Sequence, residues 1–103
     1  MKRGEIRWYS FSHPDKKRPV IVLTRDSILP YLDEITVAQV TSRIRDIPSE
    51  VLLSKHDGMP RDCVINCDQL HTVSKRKIGA LITTLSASKM PELAKALKFA
   101  LDI

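Results

Sequence analysis

Few residues in this 103-residue chain are of the kinds that do chemistry, and their spacing excludes most of it. There is no nucleophile elbow of the G-x-S-x-G type, no phosphate-binding loop and no H-E-x-x-H pair. His13, His56 and His71 share no metal-ligand spacing, and each is expected on the surface or in a loop. Cys63 and Cys67 form a lone C-x3-C pair without the other ligands that a zinc site needs. They alternate with Val64 and Ile65, so they are expected as buried, reduced thiols on one face of a strand. An enzyme with this inventory has to work without cofactor or metal. Cleavage of RNA by transesterification qualifies, because the ribose 2′-hydroxyl is itself the nucleophile. The protein need only position it, move protons and stabilise charge on phosphorus.

Charge narrows the partner. Residues 1–25 carry seven basic side chains, Lys2, Arg3, Arg7, Lys16, Lys17, Arg18 and Arg25, against Glu5 and Asp15. The rest of the chain has ten of each sign, so the net +5 arises in the first quarter. A concentrated basic surface suits a polyanion such as RNA, or an acidic protein.

The elements that must hold these residues are mostly strands. Glu5–Phe11, Pro19–Thr24, Ile35–Val40, Ser49–Ser54, Cys63–Cys67 and Ala80–Leu85 are rich in β-branched and aromatic residues. Leu70–Val73 is a further short strand. Residues 12–17 form a polar loop, Asp57-Gly58 a turn, and residues 74–78 one helical turn that Gly79 ends. Met90, Leu93, Leu97, Ala100 and Leu101 recur at helical spacing, with Ser88 as N-cap and Pro91 in the first turn. The length allows a single domain, residues 1–103, of α+β class. No apolar run reaches the ~20 residues that span a bilayer. The basic N-terminus is followed by no apolar leader core, so a cytoplasmic location is expected.

Five separated segments carry a resemblance. They are Arg3-Gly4-Glu5-Ile6-Arg7-Trp8, Arg18-Pro19-Val20-Ile21-Val22-Leu23, the run Ile35 to Arg43, Pro48-Ser49-Glu50-Val51, and Asp68-Gln69, followed by a helix closing in Leu101-Asp102-Ile103. Their order and spacing resemble the MazF/PemK family of toxin–antitoxin endoribonucleases across nearly the whole chain. The resemblance implies a compact SH3-like β-barrel with a long C-terminal helix, active as a homodimer. It implies sequence-specific cutting of single-stranded RNA, with no cofactor and no metal, to a 2′,3′-cyclic phosphate and a 5′-hydroxyl. It implies a cognate acidic antitoxin that covers the RNA groove.

By position, Arg18 matches the family's catalytic arginine, Thr41 its catalytic threonine, and Asp68 an acidic position implicated in some members. Lys16, Lys17, Ser42, Arg43 and Asn66 are expected to bind RNA around them. Asn66 stands two residues before Asp68, where those members can carry arginine. The loop before Arg18 is shorter than usual. Arg18 would clamp phosphate oxygens through its guanidinium fork, and Thr41 would donate its hydroxyl to the same phosphate. Arginine holds its proton too tightly for a general base, which leaves Asp68 as the carboxylate to take one. Trp8 and Tyr9 offer faces for stacking a base, while a lone tryptophan in a first strand also suits the core. A gyrase inhibitor of CcdB type on the same fold is the alternative, although its C-terminal tryptophan is absent here. A non-catalytic nucleic-acid-binding regulator is the other.

Overall fold

The structure is a computed structural model that describes residues 1–11 and 16–103. Six strands occur among them: β1 (Glu5–Phe11), β2 (Lys16–Val22), β3 (Glu34–Thr41), β4 (Glu50–Leu53), β5 (Cys63–Ser74) and β6 (Ile78–Thr84). They pair antiparallel in the order β4-β5-β3-β2-β1-β6. One helix follows, α1 (Met90–Leu101), entered through a 3₁₀ turn at Ala87–Lys89. The α+β class read from the sequence is the class observed. The barrel is open, because β4 and β6 stand at the two edges of the sheet and do not pair.

Period-two alternation sends successive side chains to opposite faces of the sheet, and both faces are apolar here. Ile21, Ala38, Val40, Ile65, Cys63 and Cys67 join Leu93 and Ala96 of α1 in one core. Val20, Val22, Ile35, Val37 and Val73 join Leu29, from a 3₁₀ turn before β3, in the other. That is why the central strands read as unbroken apolar runs rather than as alternating ones. Both cysteines are buried and free, on one face as expected. Burial pushes both thiols up, Cys67 to about 11.

Several boundaries differ from the sequence reading. Lys16 and Lys17 belong to β2, not to the loop, since they pair with Phe11 and Ser10 of β1. The two strands read at Cys63–Cys67 and Leu70–Val73 are one strand with a bulge. Ala38 pairs with Leu70 but Gln39 pairs with Asn66, so Cys67, Asp68 and Gln69 have no counterparts on β3. Gly79 does not end a helical turn; it lies in β6, where a Cβ would come 3.2 Å from the Trp8 carbonyl oxygen of β1. Gly58 does close the 3₁₀ turn Lys55–Asp57, at φ 95° and hard against Thr83. On α1 the buried stripe centres on Leu93 and Ala96, and Leu101 is turned outward. Among the described residues no helix is long and apolar enough to cross a membrane.

Candidate active site

Arg18 enters the sheet as the third residue of β2, opposite Tyr9 of β1. Pro19 follows it, which fixes φ there and keeps Arg18 in extended backbone. Thr41 is the last residue of β3. The pairing of β2 with β3 reaches Val20 opposite Gln39. Carried two residues further, it sets Arg18 opposite Thr41 at the rim of the sheet.

Two recesses meet at this pair. One, of about 220 Å³, is lined by Trp8, Lys17, Arg18, Thr41, Ser42 and Arg61, with Met59, Pro60 and Cys63 among the others. The second, of about 190 Å³, is lined by Arg18, Gln39, Thr41, Arg43, Arg45, Asn66 and Gln69. Arg18 and Thr41 border both. Among the described residues the walls carry five cations, Lys17, Arg18, Arg43, Arg45 and Arg61, and no carboxylate or imidazole. Such a surface attracts an anion and gives a metal cation no oxygen cage. Among the described residues no three His, Cys, Asp or Glu side chains cluster as metal ligands.

The hydroxyl of Thr41 is oriented. Its Oγ1 accepts the backbone N–H of Arg43 at 3.2 Å, so its own proton is free for a bound oxygen. Glu50 orients the loop beyond it. One carboxylate oxygen, Oε1, accepts the N–H of Arg45 at 2.9 Å and that of Asp46 at 3.0 Å, where Asp46 has φ 57°. The two arginines of this loop are thereby carried on a braced backbone.

A family model described as the PemK-like, MazF-like toxin of type II toxin–antitoxin systems matches residues 2–101. The chain belongs to this family. Endoribonuclease MazF3 of Mycobacterium tuberculosis is 37% identical over 89 residues, covering 86% of each chain. A solved structure of the Mycobacterium tuberculosis toxin MazF-mt6 superposes with a TM-score of 0.88 at 34% identity, over 96% of this chain and 97% of that one. A mycobacterial endoribonuclease solved with its cognate antitoxin shares the fold, with a TM-score of 0.88 at 18% identity over 100% and 96% of the two chains. These likenesses favour the MazF reading over a gyrase inhibitor.

Within this MazF-family chain, the residues expected to act are not all together. Arg18 and Thr41 lie between the recesses, with Lys17 and Ser42 on one side and Arg43 and Asn66 on the other. Lys16 is exposed at the start of β2 and lines neither. Asp68 lines neither as well. The bulge carries it out of register, and its Oδ2 accepts a hydrogen bond from Ser49 Oγ at 2.6 Å. Trp8 walls the first recess, whereas Tyr9 packs edge-on to Phe11, ring centroids 4.8 Å apart. His13 falls outside the described residues; His56 is exposed, and His71 packs on Phe11.

Gln39, Arg45, Arg61 and Gln69 were missed. Gln39 stands two residues before Thr41 on the same strand face, and that period was available in the sequence. The positions of Gln69 and Arg61 follow from the bulge and from the path of the chain into β5, which no local pattern announces. The first quarter of the chain supplies only two of these five wall cations, Lys17 and Arg18. Arg43, Arg45 and Arg61 come from the stretch that is neutral as a whole.

Proposed function

We propose that this MazF-family endoribonuclease cuts single-stranded mRNA at a short sequence, without a metal, by attack of the ribose 2′-hydroxyl on the adjacent phosphate. The observation that carries this reading is the Arg18–Thr41 pair, shared by two recesses walled with cations. A phosphate seated between them receives the guanidinium fork of Arg18 and the Thr41 hydroxyl. The 2′-oxygen gives up its proton to water and bonds to phosphorus, the bond to the 5′-oxygen breaks as that oxygen takes up a proton from water, and the products are a 2′,3′-cyclic phosphate and a 5′-hydroxyl. Charge grows on the phosphate oxygens along that path, and fixed cationic donors stabilise it more than they stabilise the ground state. Lys17, Ser42, Arg43 and Asn66 hold the strand on either side, and Lys16 adds charge at the approach. Asp68, tied to Ser49, acts here as a brace for β4 on β5.

The toxin works in the cytoplasm as a homodimer and is neutralised by an acidic antitoxin. The unbalanced positive walls suit an acidic segment. Phe99, Leu101 and Ile103, exposed at the end of α1, provide apolar surface for association.

The deciding experiment is incubation of the purified protein with a long RNA, with and without EDTA, and mapping of the ends. Cyclic phosphate ends at recurring sites, unaffected by EDTA, are expected. Loss of cleavage in EDTA that Mg²⁺ restores overturns the metal-free mechanism.

A further inference from the structure

Asn66 is held so that half of its side chain is committed and half is not. It is only 7% exposed, in the middle of the sheet, paired with Gln39 on β3 and Glu50 on β4. Its Oδ1 accepts the backbone N–H of Asp68 at 2.9 Å, within the β5 bulge. An N–H can meet only the oxygen of a carboxamide, so the orientation of this amide is not reversible. The Nδ2 group donates to no described residue, yet Asn66 lines the second recess beside the proposed phosphate seat. The NH₂ of this amide is free to donate to an acceptor that enters the polar recess.

The other fixed groups of that recess are donors too. Arg43 and Arg45 offer guanidinium protons and accept nothing. Gln39 and Gln69 can turn either end inward, so they do not set the preference. Unpaired RNA bases present their edges to such pockets. Guanine offers O6 and N7, and uracil offers O4, as acceptors. Where guanine has O6 and uracil O4, adenine and cytosine carry an amino group, donor against donor; adenine keeps N7 as an acceptor, so the discrimination is made at the exocyclic group.

We propose that this recess reads one base beside the cut phosphate, and that Asn66 selects a keto base, uracil or guanine, over cytosine and adenine. The proposal rests on the RNA-cutting reading above. It makes Asn66 a specificity residue instead of a general RNA contact.

The test compares the full-length protein with Asn66→Asp on a long RNA of mixed sequence, with every end mapped. Aspartate keeps the oxygen that accepts the Asp68 N–H and keeps the size, but replaces the NH₂ donor by an acceptor. The parent should cut with uracil or guanine at one defined position of its site, by at least about tenfold over cytosine or adenine. Asn66→Asp should shift that same position toward cytosine or adenine and leave the other positions of the site unchanged. Asn66→Ala, checked for folding by circular dichroism, should lose the preference without acquiring the opposite one. Short substrates cut by the parent, with that one base exchanged for cytosine, provide a reading that needs no variant; they should be cut at least about tenfold more slowly. Cleavage by the parent without any keto preference overturns this proposal and leaves the function standing. A folded Asn66→Asp with the parent's site preference does the same. No cleavage of any RNA by the parent overturns both.

Discussion

Ser49 Oγ donates to Asp68 Oδ2 across 2.6 Å, joining the residue before β4 to the bulge of β5. The same two stretches are joined by the Cys67 N–H, which donates to the Ser49 carbonyl at 2.9 Å. In the function proposed above, this carboxylate is a structural acceptor. Asp68→Asn keeps an oxygen for Ser49 and loses only charge assistance, so about 1 kcal/mol of stability should go. Cleavage at neutral pH should stay within a few-fold of the parent. A rate lower by roughly 10²-fold or more, at unchanged urea midpoint and RNA affinity, would show instead that Asp68 takes the proton.

Arg18→Ala should lower the single-turnover cleavage rate by roughly 10²–10³-fold, the cost of one donor aimed at transition-state charge. RNA affinity should fall far less, because Lys17, Arg43, Arg45 and Arg61 remain in the walls. Thr41→Val conserves shape and removes one neutral hydroxyl, so its effect should share the direction and be smaller. Rates and binding curves on one RNA check both. A fully active Arg18→Ala would favour a non-catalytic binding protein.

Lys16→Ala and Lys17→Ala should act on binding and not on the chemical step. Each phosphate contact removed should flatten the plot of log affinity against log salt by about 0.7 for a single strand. Lys17 lines the first recess and Lys16 lines neither, so the larger change is expected for Lys17. Titrations at several salt concentrations on two unrelated RNAs will show whether the loss is uniform across sequence.

Asp57 ties the turn before β5 to the entry of α1. Burial pushes its carboxyl up, but the Ser54 N–H at 2.8 Å and the Lys89 ammonium at 3.1 Å outweigh that and hold it below its ordinary value. A carboxylate with a lowered folded pKa adds stability above its unfolded value, near 3.8, and loses it as pH falls through the folded one. Asp57→Asn should therefore cost about 1 kcal/mol at pH 7, a partly exposed pair being screened by solvent. The gap between parent and variant should close as pH falls below 3.8 and through the lower folded value. Urea midpoints at pH 7, 5 and 3 measure it, and a gap that persists at low pH would assign the loss to packing.

Part of this protein is decided locally. Strand runs such as Ile35–Val40 and the stripe around Leu93 are short-range patterns of period 2 and 3.6, and they need no tertiary knowledge to be read. The linear order of Arg18-Pro19, Thr41-Ser42 and Asp68-Gln69 likewise carried the family resemblance. Facing was harder. With both sides of the central sheet buried, the apolar run in β2 does not reveal which side holds Val20 and which Ile21.

What only the fold decided is which distant residues share a surface. Arg18 and Thr41 are 23 positions apart and meet because β2 and β3 pair in one register out of many. Asp68 parts from them, although close in sequence to Asn66, because three residues of β5 bulge away from β3 between Asn66 and Leu70. The same bulge aims the Asp68 N–H at Asn66 Oδ1 and so fixes which end of the amide is oxygen and which is donor. A bulge is set by the competition of neighbouring strands for backbone hydrogen bonds, and no side-chain period records it.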